Sequence, residues 1–153
     1  MTGRYFEELE PGLLVRHDIT RTVTETDNLL FSALTHNTQP LHIDAEFAAK
    51  SVYGQILVNS IFTIGLVCGV AVTDMTLGTT LGNLGFDKIT LPNPVFIGDT
   101  LRIESEIVDR RESKSRPNAG VVKFLHRGIN QRDELVCECF RSALMIKRAS
   151  IIS

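Results

Sequence analysis

The stretch that decides the fold is residues 56–73, ILVNSIFTIGLVCGVAVT, the one long apolar run in the chain. From Ser60 to Val72 it is apolar all round, which is typical of a helix inside a protein core or a membrane. Asn59 and Ser60 interrupt it near its start and no basic anchor flanks it, so a protein core is favoured. About thirteen helical residues span roughly 20 Å, enough to cross a small sheet once. Something must therefore wrap around this helix.

The segments on either side of the helix have the patterns of antiparallel strands. In the first of them Leu13, Val15 and Ile19 alternate with polar residues, which predicts a strand over residues 13–22. Four later segments are bounded by Gly, Pro, Asn or Asp, and most have stretches of the same period of two. They are residues 77–90, 100–110, 120–129 and 135–147.

Between the first strand and the apolar run, the sequence predicts two further helices. Thr24 is followed three residues later by Asp27, a capping pattern, and apolar residues then recur at helical spacing, so a helix is expected over about 25–35. Pro40 ends that helical pattern, and the polar cluster of residues 35–44 is expected to lie in a loop. Residues 44–50 favour one short helix. The order predicts an α+β fold in which an antiparallel sheet wraps around a buried central helix.

The composition agrees with one globular domain spanning residues 1–153. At 153 residues and 17.0 kDa the chain is too short for two full domains, and 43% apolar residues provide a core. With 22% charged residues it is neither disordered nor collagen-like or coiled-coil in character. A formal charge of −2 gives no global field for binding nucleic acid or an acidic membrane. Any anion-binding patch must be local.

The cysteines and the first residues predict a cytoplasmic protein. Cys68, Cys137 and Cys139 are an odd number that fits neither a disulfide framework nor a zinc site, so a reducing compartment is expected. The spacing places Cys137 and Cys139 on one strand face, where packing in the sheet is the simplest role. The first ten residues carry four charged side chains and no apolar stretch, so no secretory signal is expected.

The polar loop ahead of the central helix carries a family resemblance. Residues 31–44, FSALTHNTQPLHID, followed by Tyr53, Gly54 and the apolar helix, resemble the signature of the MaoC-like dehydratases. These are hot-dog-fold proteins that include the (R)-specific enoyl-CoA hydratases. The family pattern is approximately Ser-Gly-Asp-x-Asn-Pro-x-His; Pro40 and His42 match it, whereas Asn37 stands in place of the aspartate. Residues 91–100, LPNPVFIGDT, resemble the proline-containing stretch of the family.

The resemblance implies a hydro-lyase, which adds water to a 2-enoyl-CoA thioester or removes it. The motif TQPLH, the turn SRPNAG at 115–120 and HRG at 126–128 resemble the branch that hydrates mesaconyl- or itaconyl-CoA. CoA is then part of the substrate, and no metal or other cofactor is expected. A homodimer or an assembly of dimers is expected, because one such domain leaves a sheet edge and the pantetheine tunnel of the family lies between protomers.

This hydration needs a base for water, an acid for the α-carbon and donors for the enolate oxygen. His42 is the expected base, a role that the resemblance also assigns to it. Asn37 cannot exchange a proton, so either it orients the water while His42 acts alone or a neighbour takes the acid role. Asp44 is the nearest carboxylate, although capping of the next helix is the favoured role for it. An amide at position 37 would spare a dicarboxylic acyl group a like-charge repulsion, or it would mark a site that only binds acyl-CoA.

Two further sets of residues are expected to bind the substrate. The N-terminus of the apolar helix, at Val58, Asn59 and Ser60, offers backbone N–H groups to the thioester oxygen, although Asn59 also fits a helix cap. The cations of one turn are candidates for CoA phosphates, although such turns are usually only solvated. They are Arg110, Arg111, Lys114 and Arg116, with Arg127 and Arg141 as strand candidates.

Two other functions stay open. A hot-dog thioesterase commonly places a carboxylate on its central helix, and residues 53–73 contain no acid, which counts against it. A non-catalytic acyl-CoA or acyl-carrier binding module is favoured only by the missing aspartate. Of the other histidines, His36 is expected in the loop facing solvent or substrate, and His17 and His126 are expected to be structural.

Overall fold

The sheet has five antiparallel strands in the computed structural model, which describes residues 3–148. In space the strands follow the order β1-β3-β4-β5-β2, so β1 and β2 form the two edges. The predicted antiparallel sheet is confirmed, and its strands match the predicted segments within a few residues. The strands are β1 Leu14–Thr22, β2 Thr80–Thr90, β3 Thr100–Glu112, β4 Ala119–Ile129 and β5 Leu135–Ile146.

The helices lie between β1 and β2 in the chain. Helix α1 has the predicted capping box, in which Thr24 and Asp27 each accept from the other's backbone N–H. The expected loop over residues 35–44 is interrupted, because Pro40 begins one helical turn that contains His42. The strand expected from residue 77 begins only at Thr80, after a π-helical turn at Val72–Thr76. The helices are α1 Glu25–Leu34, α2 Pro40–Ile43, α3 Ala45–Ala49 and α4 Ser60–Val70.

Helix α4 is the central helix of the fold and packs against β4 and β5. Val67 is fully buried, and a methyl carbon of its side chain lies 2.6 Å from where a Cβ on Gly128 of β4 would be. Only a glycine at position 128 lets the helix approach the strand so closely. The sequence predicted that α4 is buried on every side, and for the single chain this prediction is wrong. Ile61 is 58% exposed, and Gly65 on the same stripe of α4 is exposed too.

Helix α1 buries polar side chains and exposes apolar ones. Asn28 and Ser32, one turn apart, are fully buried toward the N-terminus of α4. Leu30 and Leu34, which share the apolar helical spacing, are 56% and 72% exposed. The inward face of α1 therefore makes hydrogen bonds, while its apolar face is left without a cover in the single chain.

A row of hydrogen-bonded side chains crosses the other half of the core. Asp74 of the π-helical turn accepts from Nδ1 of His17 at 2.7 Å, and Nε2 of His17 is 2.8 Å from Oγ of Ser105. Ser105 is in turn 2.7 Å from Nδ1 of His126, whose Nε2 accepts from Arg141 at 3.2 Å. With both imidazoles neutral, each contact has one donor and one acceptor. The structural roles expected for His17 and His126 are confirmed.

Burial also shifts the titration of groups in this core. Burial and the neighbouring charges of Arg141 and His17 lower the pKa of His126 to about 3. Cys137 and Cys139 are buried on one face of β5, as expected, and all three cysteines are free. A hydrogen bond with Cys139, helped by the charge of Arg141, lowers the pKa of Cys68 to about 7. Within residues 3–148, no helix has the length and apolar character of a membrane span.

Candidate active site

His42 is the centre of the candidate site. It is half-buried on α2, and its Nδ1 lies 2.7 Å from the carbonyl oxygen of Leu57. A carbonyl only accepts, so Nδ1 must carry the proton. In the neutral ring Nε2 is then an unprotonated acceptor, the form that a general base requires. The tertiary contact with Leu57 thus selects the tautomer.

Asn37 lies in the turn that leads from α1 to α2. Its side-chain oxygen accepts a hydrogen bond of 3.1 Å from the N–H of Gln39, and its own N–H donates to the carbonyl of Ser32. This arrangement leaves the Asn37 side-chain NH₂ as the group that can donate to a ligand. The preceding residue, His36, is exposed with a φ of 54°, a left-handed conformation that histidine tolerates better than most residues.

Asp44 is a helix cap, as expected. Its carboxylate accepts from the N–H of Phe47 at 3.0 Å and so closes the first turn of α3. The side chain is exposed and already engaged with the backbone. The cap role expected for Asp44 is thus confirmed, and His42 stays the predicted proton-transfer group of the loop.

Within residues 3–148, the N-terminus of α4 has backbone N–H groups without an acceptor, and Ser60 carries one of them. Val58 donates its N–H to Val95 O, and Asn59 donates its N–H to the side-chain oxygen of Asn28, both at 2.9 Å. The buried Asn59 side chain caps α4, accepting from Ile61. The expectation that Val58 and Asn59 donate to substrate is therefore not supported. Among the hydrogen bonds of the described chain, none uses the N–H of Ser60, which retains the predicted role.

A cavity of about 260 Å³ opens beside this donor. Its wall combines the first turn of α4 with the stretch that follows β2, and Leu57, the partner of His42, is part of it. Ser60 and Thr63 contribute hydroxyl groups, while most of the other lining residues are apolar, as suits an acyl chain. The lining comprises Tyr53, Leu57, Val58, Ser60, Thr63, residues 91–95 and Val136.

The predicted basic turn forms a groove of about 570 Å³ at the other end of the sheet. The structure brings Arg111, Lys114 and Arg116 together around it, beside β2. Arg110 is excluded, because it donates to Phe6 O and Glu7 O and pairs with Glu10. The strand candidates are excluded as well. Arg127 is paired with Glu104, Glu106 and Glu138, and Arg141 lies in the core.

Sequence reasoning missed three contributors to the site: Asn28, Ser32 and the carbonyl of Leu57. Asn28 and Ser32 hold the segment around Asn59, and Leu57 orients His42. The only signal in the sequence is a pair of polar residues one turn apart on α1, and it does not reveal which face of the helix is buried. In residues 3–148, no three His, Cys, Asp or Glu side chains are grouped so that they could hold a metal ion.

This architecture, an antiparallel sheet packed on one central helix, defines a hot-dog fold. A Mycobacterium tuberculosis protein of 20% identity, described as having a double hotdog fold, superposes with a TM-score of 0.85 over 95% of this chain and 44% of its own. A family model described as MaoC like domain matches residues 8–127. The chain belongs to the MaoC-like dehydratase domain family, as the loop motif predicted.

Two further relatives match nearly the whole chain. A monoamine oxidase regulatory protein from Archaeoglobus fulgius is 32% identical and superposes with a TM-score of 0.85, over 96% of this chain and 97% of its own. A mesaconyl-CoA hydratase from Cereibacter sphaeroides is 34% identical over 146 residues, which are 95% of this chain and 42% of the relative. The chain thus spans about two fifths of that hydratase.

Proposed function

We propose that this chain, a single hot-dog domain over residues 1–153, is a hydro-lyase that reversibly adds water to a 2-enoyl-CoA thioester. The observation that carries the proposal is the fixed tautomer of His42: its Nδ1 is held by the carbonyl of Leu57, a residue that lines the cavity together with Ser60, so Nε2 is left as a base. The similarity to a mesaconyl-CoA hydratase supports it. Proton transfer and hydrogen bonding suffice for this reaction, so we propose no metal ion or redox cofactor.

In the proposed mechanism, His42 takes a proton from a water molecule as the water oxygen bonds to the β-carbon. The electron pair of the double bond moves toward the thioester, and the developing enolate oxygen accepts a hydrogen bond from the Ser60 N–H. The protonated His42 then returns its proton to the α-carbon. Water is thereby added as hydroxyl and hydrogen, and His42 ends neutral as it began. Asn37 donates its amide N–H to the water oxygen and aligns it.

The acyl group that we propose is a branched C5 dicarboxylic one, as in mesaconyl- or itaconyl-CoA. The relative named mesaconyl-CoA hydratase supports this choice, and so does Asn37. A carboxylate at position 37 would repel a second carboxylate on the substrate, whereas an amide does not.

We further propose that the active unit is a homodimer joined through β2. Of the two edge strands, β1 carries the charges of Arg16, Asp18 and Arg21, whereas residues 81–86 of β2, LGNLGF, carry none. Leu84 is 55% exposed in that uncharged segment, which Asp87 and Lys88 follow in the same strand. An uncharged, apolar edge is suited to strand pairing, and charges on an edge oppose it. The three free cysteines support a cytoplasmic location.

Such a dimer would complete the CoA site. Val136 lines the cavity and Leu144 lines the basic groove, and they lie roughly 26 Å apart along β5 at 3.3 Å per residue. Antiparallel pairing of two β2 strands about a two-fold axis sets the start of one strand beside the end of the other. The basic groove of one protomer then lies next to the cavity of its partner. We propose that Arg111, Lys114 and Arg116 there bind the CoA phosphates.

The test is turnover of crotonyl-, mesaconyl- and itaconyl-CoA by the purified protein and by His42→Ala, followed by mass gain and thioester absorbance. We expect hydration of a dicarboxylic substrate by the wild type and a loss of about 100-fold or more in the variant. Hydration of crotonyl-CoA alone would contradict the substrate proposal. Release of free CoA without hydration would indicate a thioesterase. Binding without turnover of any of the three would favour the acyl-CoA binding module, the candidate that Asn37 supports.

A further inference from the structure

Asn28 joins the two halves of the candidate site. The residue is fully buried on α1, and its side-chain NH₂ donates to the carbonyl oxygen of His42 at 2.8 Å. Its side-chain oxygen accepts from the N–H of Asn59 at 2.9 Å. One planar amide therefore spans from the backbone of the base to the residue just before Ser60.

The two hydrogen bonds of the Asn28 side chain, here called the bridge, are part of a closed frame of hydrogen bonds that also includes residues 41–42 and 57–59. Leu57 donates its N–H to Leu41 O at 3.1 Å, and its carbonyl accepts from Nδ1 of His42 at 2.7 Å. Asn28 closes the opposite side, between His42 and Asn59. If the side chain of Asn28 is removed, the backbone that carries the His42 ring loses its tie to α4, so the contact of the ring with Leu57 should open more often. The carbonyl of His42 and the buried N–H of Asn59 would also lose their partners.

Ser32 supports the same frame from the next turn of α1. Its hydroxyl accepts from the side-chain NH₂ of Asn59 at 3.2 Å, while the oxygen of that side chain caps Ile61. The orientation of the Asn59 amide, and hence the first turn of α4, depends on this contact. Asn28 and Ser32 thus hold the end of α4 at which Ser60 lies.

The residue type fits this task closely. The position needs one donor and one acceptor on a short, rigid group. An amide supplies both, whereas an ionised aspartate has only acceptors and would place one against the carbonyl oxygen of His42. Catalytic groups need placement within about 0.5 Å, and a misplacement of 1 Å can cost about 100-fold in rate.

We propose that Asn28 is a positioning residue, which fixes the His42 ring and the Ser60 N–H relative to each other, and that Ser32 supports it. This inference rests on the proposed hydration. Neither side chain contacts the reacting atoms. Asn28 sets the distance and angle between the proton acceptor and the oxyanion donor.

The experiment compares Asn28→Ala with Asn130→Ala. Asn130 is an equally buried asparagine in the turn between β4 and β5, and its side chain likewise donates and accepts. For each variant we would measure kcat and KM with the acyl-CoA that the wild type hydrates best, together with the melting temperature. We expect Asn28→Ala to lower kcat about 100-fold with KM within threefold, and Asn130→Ala to leave kcat within twofold. Ser32→Ala, a smaller change, should lower kcat about threefold to tenfold.

A second readout follows the His42 ring directly. Solvent exchange of the His42 Nδ1 proton, measured by NMR, should become faster in Asn28→Ala and stay unchanged in Asn130→Ala. Equal effects of the two variants on kcat and on exchange, at an equal loss of melting temperature, would overturn the inference. A wild type that hydrates no acyl-CoA would instead remove the proposed function, and the exchange measurement would still decide whether Asn28 positions His42.

Discussion

The side-chain oxygen of Asn37 accepts a hydrogen bond from the N–H of Gln39, so the donor end of the amide is the one presented to a ligand. An aspartate at position 37 could accept the same hydrogen bond and would present a negative oxygen in place of the NH₂. The local turn would therefore survive the exchange, while the charge at position 37 would change.

Asn37→Asp should shift the substrate preference toward a monocarboxylic acyl group. At an effective dielectric constant of 20, one added charge costs a dicarboxylic substrate about 1–2 kcal/mol, a factor of roughly tenfold. We expect the ratio of kcat/KM for mesaconyl-CoA to that for crotonyl-CoA to fall by about that factor. Asn37→Ala, which adds no charge, is the control. An unchanged ratio in the aspartate variant would remove the charge argument.

Replacing Lys114 and Arg116 together by alanine should weaken binding of CoA thioesters. Loss of two cationic partners for phosphate at an exposed groove should weaken the binding free energy by about 1.4 kcal/mol, so KM should rise roughly tenfold. A pantetheine thioester, which has no adenosine phosphates, should show no change. Arg16→Ala removes an exposed cation from the opposite edge strand and serves as the control. A rise in KM for both thioesters would contradict phosphate binding in this groove.

Leu84→Lys should dissociate the dimer. A lysine in the uncharged segment of β2 would need to lose water at the proposed interface, and we expect the dissociation constant to rise about 100-fold or more in analytical ultracentrifugation. Activity should fall with dimer content. Ile19→Lys changes a residue of similar exposure, 47%, on β1. If only Ile19→Lys dissociated the dimer, the interface would lie on β1, and the proposal that β2 forms it would be wrong.

His126 should make the fold sensitive to acid. Its pKa is lowered to about 3 by burial, against about 6.5 in the unfolded chain, so between these values the unfolded chain binds the extra proton. The free energy of unfolding should therefore fall as pH drops below 6.5, by up to about 1.4 kcal/mol per pH unit from this residue.

The matching variant is His126→Asn, which can still accept from Arg141 and donate to Ser105. Its free energy of unfolding, measured in urea from pH 4 to 7, should depend less steeply on pH than that of the wild type. Carboxylates contribute to both proteins alike, so only the difference between the two slopes is informative. Equal slopes would show that His126 is not the responsible group.

Gly128→Ala should destabilise the fold by about 1–3 kcal/mol, because its new Cβ would overlap the side chain of Val67. Val67→Ala creates a cavity and is destabilising by itself. If the two sites are in contact, the double variant should lose less stability than the sum of the single variants. Simple additivity in thermal or urea unfolding would disprove the close approach of α4 to β4.

The elements that follow from local rules were predictable. The capping box at Thr24 and Asp27 depends on residues three apart, and β1 shows its alternation within the strand itself. The wrapping of a sheet around α4 follows from the apolar run alone. His42 was found by its motif, and its proximity to the N-terminus of α4 follows from the family fold.

The features that the sequence did not predict depend on contacts between residues distant in sequence. The apolar spacing of α1 predicted a helix but not its buried side. Asn28 is buried because it reaches His42 and Asn59, 14 and 31 residues away. Val58 was predicted to donate to substrate, but its N–H donates to the carbonyl oxygen of Val95. No periodicity in the sequence reports such pairings, since each depends on the completed sheet and helix packing.

The polar row from Asp74 to Arg141 has a consequence for how this domain can vary. Arg141 only donates, so His126 must accept from it and pass its own proton toward Ser105, and the same dependence continues through His17 to Asp74. Each side chain thus fixes the hydrogen-bonding direction of the next. A substitution that reverses or removes one member leaves its neighbour unmatched inside the core. Related chains that lose one of these residues should have exchanged several of them together, as a set.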